Sequence, residues 1–351
     1  MKWIIPVVLT IAVTIVTRFP LWIEEVYIPY IYTYIALVQR TLTGWLFISV
    51  GDILYLLVNI WLLIRIYNGI KILVKRNATW RGTFHKLLRL IRLLLWVYIF
   101  FNVLWGWNYH RLGISYQLQL KPEIYSKEVL VDLTQQLILK VNESRLALGH
   151  DYRFPNHKEY FITAVAAYKK VKNEYPFLKY SSPSIKKSGY GRLGNYMGFL
   201  GYYNPFTGEA QVNTAYLPFQ QSYVACHEIG HQLGYASESE ANFVGYLAAT
   251  ASTDTALRYS VYFDMFNYAN RELFYRDSTA ARDNYKKLDT LVKQDYMAVR
   301  IFLKKYKNPF EPVVKLFYDQ YLKANAQAKG MQSYNEVVGW LIAYRKKFGR
   351  L

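Results

Sequence analysis

Cysteine is almost absent from this 351-residue chain: Cys226 stands alone, so no intramolecular disulfide forms and a disulfide-stapled scaffold is excluded. Acidic residues are scarce as well, 24 Asp and Glu against 43 Lys and Arg, for a formal net charge of +19. Neither an internal repeat nor a low-complexity tract is apparent. What is abundant is apolar and aromatic material, 53% and 18% of residues, which excludes a disordered chain and supplies a sizeable core. On a soluble protein so large a positive charge would point to nucleic acid. The placement of the basic residues argues against that partner.

Three apolar stretches precede residue 110. The first, Trp3 to Thr17, follows Lys2 and is interrupted by Arg18 and Pro20. It is short beside the ~20 residues needed to cross ~30 Å of hydrocarbon, and without a small-x-small cleavage site after it, it reads as an uncleaved signal anchor. The second runs from about Trp45 to Ile64, with Asp52 expected near the interface. The third, Leu93 to Tyr109, leaves through Trp105, Trp107 and Tyr109, the pattern of an aromatic belt. Between the last two lie Arg65, Lys71, Lys75, Arg76, Arg81, Lys86, Arg89 and Arg92 with no acidic residue. The positive-inside rule makes that connection cytoplasmic, and the expected loop from Arg18 to Trp45, with Glu24 and Glu25 balancing its arginines, external. Much of the charge is thus a topology signal for a multi-pass protein in a lipid bilayer, and no nucleic-acid partner is expected.

Residues 111–351 read as one domain. Helical patterns cover Ser126 to Leu148 and Asn156 to Glu174. From Ser181 to Thr214 the alternation is of β type, and Tyr196 to Tyr203 with Glu209 to Asn213 flank the turn residues Asn204, Pro205, Phe206, Thr207 and Gly208 as a β-hairpin. After Pro218 the pattern is helical, with breaks near Gly234, Asp277, Pro309 and Gly330.

The chemistry-bearing residues follow the hairpin. His227, Glu228 and His231 form H-E-x-x-H, which arises by chance about 0.004 times in a chain of this composition. On a helix, residues i and i+4 share a face, so both imidazoles can grip one metal ion, while Glu228 is placed to act on a water beside it. Neutral imidazoles with an open fourth position suit Zn2+. Gly234 is placed to end the helix and turn the chain back toward the metal. A third ligand is expected from the next helix: Glu238, in E-x-x-A-N with Asn242 one turn later to orient a ligand, with Glu240 as the alternative. Charge at a helix N-terminus accounts equally for either acid.

The H-E-x-x-H and E-x-x-A-N pair resembles the gluzincin group of zinc metallopeptidases. The chain is also similar to an uncharacterised bacterial membrane-protein family, with N-terminal spans ahead of Asn-Pro-Phe-Thr-Gly-Glu and His-Glu-Ile-Gly-His. The first resemblance implies that His227, His231 and Glu238 ligate Zn2+ and that Glu228 is the general base. With the apolar stretches, the expected architecture is mainly α: about three transmembrane helices (residues 1–110) ahead of an α+β domain (111–351) that the resemblance implies is zincin-like, with a small antiparallel sheet. Such folds set an edge strand beside the catalytic helix for an extended peptide; Glu209 to Asn213 is the expected counterpart, with Asn213 holding substrate backbone or merely ending the strand.

The expected function is therefore a membrane-anchored, zinc-dependent metallopeptidase acting on peptide or protein substrates on the extracytoplasmic (periplasmic) side. The alternatives are an inactive zincin-like sensor or assembly module, and a hydrolase of a non-peptide cell-envelope amide. Tyr246, Tyr259, Tyr262 and Tyr268 are candidate donors to an oxyanion, Cys226 is expected to be packed, and Asn142-Glu143-Ser144 is a weak sequon. Nothing in the sequence fixes an oligomeric state.

Overall fold

Among the described residues, two helices are long and apolar enough to cross a bilayer, Val50–Ile72 and Trp80–Leu104, with mean hydropathies of 1.7 and 1.9. The computed structural model describes residues 2–74, 79–327, 330 and 336–351; Lys75 and Arg76 of the basic connection lie outside these. Helix α1 (Ile4–Val16) has 13 residues, about 20 Å at 1.5 Å per residue, and is too short to span alone. At Pro20 the chain bends by 90° into α2 (Pro20–Gly44). The expected loop from Arg18 to Trp45 is therefore mostly helix. Pro20 starts it at a position where no amide is needed, and Pro29, which lacks an N–H, lies in the π-wound stretch Ile23–Tyr32.

Helices α3 (Val50–Val74) and α4 (Trp80–Leu104) are longer than the apolar stretches, running through Arg65 and Lys71 and through Arg81 to Arg92. Lys and Arg are good helix formers whose heads can snorkel, so a cation ends an apolar run without ending a helix. The third stretch stops at Leu104, and residues Gly106–His110 form a tight 3-10 turn. Helix α1 lies along α4, with Thr14 Oγ1 3.1 Å from the Tyr98 hydroxyl and Trp107 Nε1 donating to the Val13 carbonyl at 3.0 Å. At the far end Lys2, Arg89 and Arg92 line one shallow depression, so the two basic regions lie on the same side.

Beyond residue 110 the order is α5 (Lys127–Leu148), α6 (His157–Val171), β1 (Ile185–Lys187), α7 (Gly191–Met197), β2 (Gly201–Asn204), β3 (Glu209–Val212) and α8 (Pro218–Gln232). Then follow α9 (Glu238–Ala251), α10 (Thr255–Arg276), α11 (Ser278–Lys286), α12 (Thr290–Tyr306), α13 (Glu311–Ala324) and α14 (Val337–Phe348). Helix α8 runs through the centre, buried on nearly every side by α6, α9, α10 and the sheet. Capping explains the first boundaries: Ser126 accepts from Val129 N and Asn156 from Lys158 N.

The sheet departs from expectation in two ways. It is mixed, in the order β1-β3-β2, with β1 parallel and β2 antiparallel to β3. Glu209–Val212 is thus the central strand and not an edge. The hairpin turn forms as expected, Asn204 Oδ1 accepting from Phe206 N and Thr207 N, but Tyr196 belongs to helix α7, which ends on Gly198 at φ +82°.

Charged side chains of the sheet fasten it to α2 and α3. Lys186 Nζ donates to the carbonyls of Thr43 (2.9 Å) and Gly44 (3.3 Å), the C-terminal end of α2. Glu209 accepts from Val50 N (3.0 Å) and Gly51 N (2.5 Å), the N-terminal end of α3. A cation at one helix end and an anion at the other match the helix dipoles. Asp52, in the first turn of α3, is buried, accepting from Gly189 N at 2.7 Å and from the Tyr202 hydroxyl.

Helix α2 also holds the C-terminal end of α8. The Tyr32 hydroxyl donates to the carbonyls of His231 (3.3 Å) and Gln232 (3.2 Å), and Arg40 Nη1 to that of Gln232 (2.9 Å). Arg111 reaches the Gly234 carbonyl at 3.2 Å and forms a buried, two-pronged ion pair with Glu24 (2.8 and 3.0 Å), whose carboxylate also accepts from Gly113 N and Gln117. Removing one partner of such a pair strands the other charge, at about 3–5 kcal/mol. Glu24 and Arg40 are therefore structural groups and not mere loop charges.

Candidate metal centre

The site is built where α8 and α9 cross closely. Gly230 and Gly245 allow this: a Cβ on Gly230 would lie 3.3 Å from the Ala241 Cα, and one on Gly245 3.1 Å from the His227 amide. Gly234, at φ +86°, ends α8 as expected, with Gly234 N donating to the His231 carbonyl (2.8 Å) and Tyr235 N to that of Gly230 (3.2 Å). The chain reverses at once, so Glu238, the first residue of α9, faces the helix that carries the two histidines.

His227 Nε2 and His231 Nε2 lie 3.2 and 3.6 Å from the same Glu238 oxygen, Oε2. One donor atom from each of the three residues falls within 4.8 Å of the others. Zinc bonds of ~2.1 Å at tetrahedral angles require donors about 3.4 Å apart, so the residues fit the ion in kind and in spacing. The other ring nitrogens are both held, His227 Nδ1 2.8 Å from Asn242 Oδ1 and His231 Nδ1 2.8 Å from the Tyr235 carbonyl. Each contact, if Nδ1 carries the proton, leaves Nε2 with its lone pair toward the shared point, as in metal sites whose ligands are oriented from behind.

Electrostatics follow from burial. The side chains of His227, His231 and Glu238 are only 12%, 9% and 9% exposed. Burial works against the Glu238 carboxylate, but the adjacent imidazoles outweigh it and hold its pKa well below the ordinary range. Burial likewise opposes charge on His231, yet the Glu238 carboxylate lifts it to about 9. Glu228 is pushed up to about 7 by burial, which the two imidazoles only partly offset. Its Oε2 has no hydrogen-bond partner among the described residues, while its carboxyl carbon sits 2.8 Å from where a Cβ on Gly201 would be. An unpartnered buried carboxylate oxygen beside a three-donor cluster is what proton transfer to and from water needs.

The remaining expected residues separate cleanly. Asn242 stands behind His227 as anticipated. Glu240 points away from the cluster, accepting from Ile114 N at 2.8 Å, and is not with the imidazoles. Asn213 is buried and spends its side chain on Asn195 (2.7 Å), the Phe199 carbonyl (3.3 Å) and Ala215 N (3.0 Å), so it ends the strand instead of facing a substrate. Among the tyrosines, Tyr259 donates to Asp295, Tyr246 is sealed in the core and Tyr262 lies outside the cluster, while Tyr268 lies within interaction range of Glu238 and Asn242. Cys226 is fully buried, as expected, and Asn142 of the sequon is engaged with Lys287 and Asp289 of the fold.

Three contributors were not legible beforehand. The Tyr318 hydroxyl of α13 donates to Glu238 Oε1 at 2.9 Å from 80 residues downstream. Gln327 accepts from Glu238 N at 3.2 Å. Trp105, at the end of α4, places its ring 6.2 Å from that of His231 and 4.4 Å from that of Tyr203. No local pattern marks any of them; only the aromatic exit from the third apolar stretch singled out Trp105, and for another reason.

No curated protein and no solved structure matches this chain. A protein family does match, over residues 27–342, a range that takes in most of α2, both apolar helices and the whole His-Glu cluster. The chain belongs to that family, described as protein of unknown function (DUF3810).

Proposed function

We propose that this protein is a membrane-anchored zinc metallopeptidase, with His227, His231 and Glu238 as ligands and Glu228 as general base. The observation that carries the reading is the meeting of two oriented imidazoles and one carboxylate at a spacing suited to one tetrahedral ion. Zinc held there would supply Lewis-acid chemistry, polarising a peptide carbonyl and easing the deprotonation of water. Glu228 takes the proton from the attacking water and returns it to the leaving amine, and its pKa of about 7 suits both halves of that transfer. Because β3 is central, the strand that would pair with an extended substrate is β2, which among the described residues pairs with β3 alone and carries Gly201 against Glu228. The proposed side is extracytoplasmic, from the basic connection between α3 and α4.

A second reading is favoured by one contact. Tyr318 covers Glu238 and the ligand side chains are nearly enclosed, an arrangement that fits a latent or non-catalytic membrane module. Peptide cleavage by the full-length chain in lipid nanodiscs, followed by mass spectrometry on a peptide mixture, tests both. The peptidase reading expects cleavage by wild type that is lost in Glu228→Gln with zinc retained; equal cleavage by that variant would overturn the mechanism. The latent reading expects cleavage only after Tyr318→Phe.

A further inference from the structure

Helix α13 has apolar residues on two opposite faces. Val314, Tyr318 and Leu322 turn inward, with Tyr318 on Glu238. Val313, Leu316 and Phe317, at i, i+3 and i+4, point outward and are 50%, 59% and 72% exposed. A helix on an aqueous surface presents charge on that side. Helix α7 packs beside α13 and exposes Leu193 and Met197 as well.

The position of α13 names what covers the patch. The Tyr321 hydroxyl lies 3.1 Å from that of Tyr109, five residues past the end of α4. Tyr321 also lies within electrostatic range of Tyr55, five residues into α3 and so about 7.5 Å along its axis from Val50. The C-terminal half of α13 is therefore level with the first turns of α3 and the C-terminal end of α4, where an inserted protein meets the headgroup region. Lys304, Lys305 and Lys307 lead into it, a cationic approach suited to anionic lipid, while Lys315 and Lys323 along it are paired with Glu311 and Asp319.

We infer that α13 is an interfacial helix whose outward face, centred on Leu316 and Phe317, rests in the bilayer surface at the Val50 end of α3. Its opposite face covers the metal centre through Tyr318, so lipid contact and access to Glu238 belong to two sides of one helix. The inference rests on α3 and α4 lying in lipid and not on the peptidase reading.

Nitroxide labelling of the full-length protein in nanodiscs containing anionic lipid tests it. Cys226 is fully buried, so Phe317→Cys takes the label, with Leu57→Cys on α3 as the lipid reference and Ile162→Cys on α6 as the aqueous one. The expected result is that the label at 317 matches that at 57, with high oxygen collision and a several-fold lower collision rate with a water-soluble nickel chelate than at 162. A label at 317 that behaves like that at 162 overturns the inference. So does one shielded from both probes, which would mean that a second copy or another protein covers the face. An aqueous signal at 57 itself would remove α3 from lipid and the inference with it, while leaving the hydrolysis test untouched.

Discussion

His227 Nδ1 and Asn242 Oδ1 lie 2.8 Å apart, joining two helices through the back of an imidazole whose front faces Glu238. Tyr223 donates to the Asn242 carbonyl at 2.9 Å and so steadies the same turn of α9. The position of one candidate ligand thus depends on a neutral side chain that itself never meets the ion.

Replacing Asn242 by Ala should weaken zinc binding by about 10–100-fold, the range for losing a group that orients a ligand, whereas Asn242→Asp keeps the acceptor and should lose far less. Competition with a zinc chelator measures both. Equal affinities for wild type and Asn242→Ala would mean that the contact does not orient His227.

Gly201 leaves the space that the Glu228 carboxyl fills, and an added Cβ would also come within 2.9 Å of the Gln211 carbonyl. Gly201→Ala should displace Glu228 and reduce peptide cleavage at least tenfold, an order-of-magnitude expectation for misplacing a general base. Zinc content should stay at the wild-type value. A variant with normal turnover would show that Glu228 does not work from this position.

Asp264 of α10 is buried, and burial raises its pKa to about 7 despite the hydrogen bond from Gln220 at 2.6 Å. A carboxyl whose pKa is higher folded than unfolded favours the native state in its protonated form. That contribution is complete below the unfolded value near 4 and is lost as pH rises through 7. Asp264→Asn should therefore flatten the fall in thermal midpoint between pH 5 and pH 8. Parallel curves for variant and wild type would show that Asp264 does not titrate in this interval.

Much of the candidate site was legible because its signals are local. H-E-x-x-H fixes two imidazoles on one helical face, Gly234 marks the reversal, and Asn242 one turn after Glu238 anticipates the second contact. The choice of Glu238 over Glu240 was open in sequence, since both acids suit the start of a helix, and the crossing of α8 with α9 separates them. What escaped was non-local or depended on partners. Parallel pairing of β1 with β3 moved the expected edge strand to the centre, and no alternation pattern encodes a neighbour more than twenty residues away. Glu24 counted only toward the charge balance of an expected loop until its buried partner Arg111 was in place, and no local pattern marks the helix ends that Arg40 and Lys186 cap. Tyr318 belongs to a helix whose own pattern gives no reason to visit the metal centre.

The central claim is that His227, His231 and Glu238 share one metal ion, and zinc stoichiometry of the purified full-length protein tests it most directly. Elemental analysis after equilibration with zinc and removal of loosely held metal should give one zinc per wild-type chain and close to none for His231→Ala and Glu238→Gln. Wild-type protein without zinc, or variants whose zinc content is undiminished, would contradict the assignment.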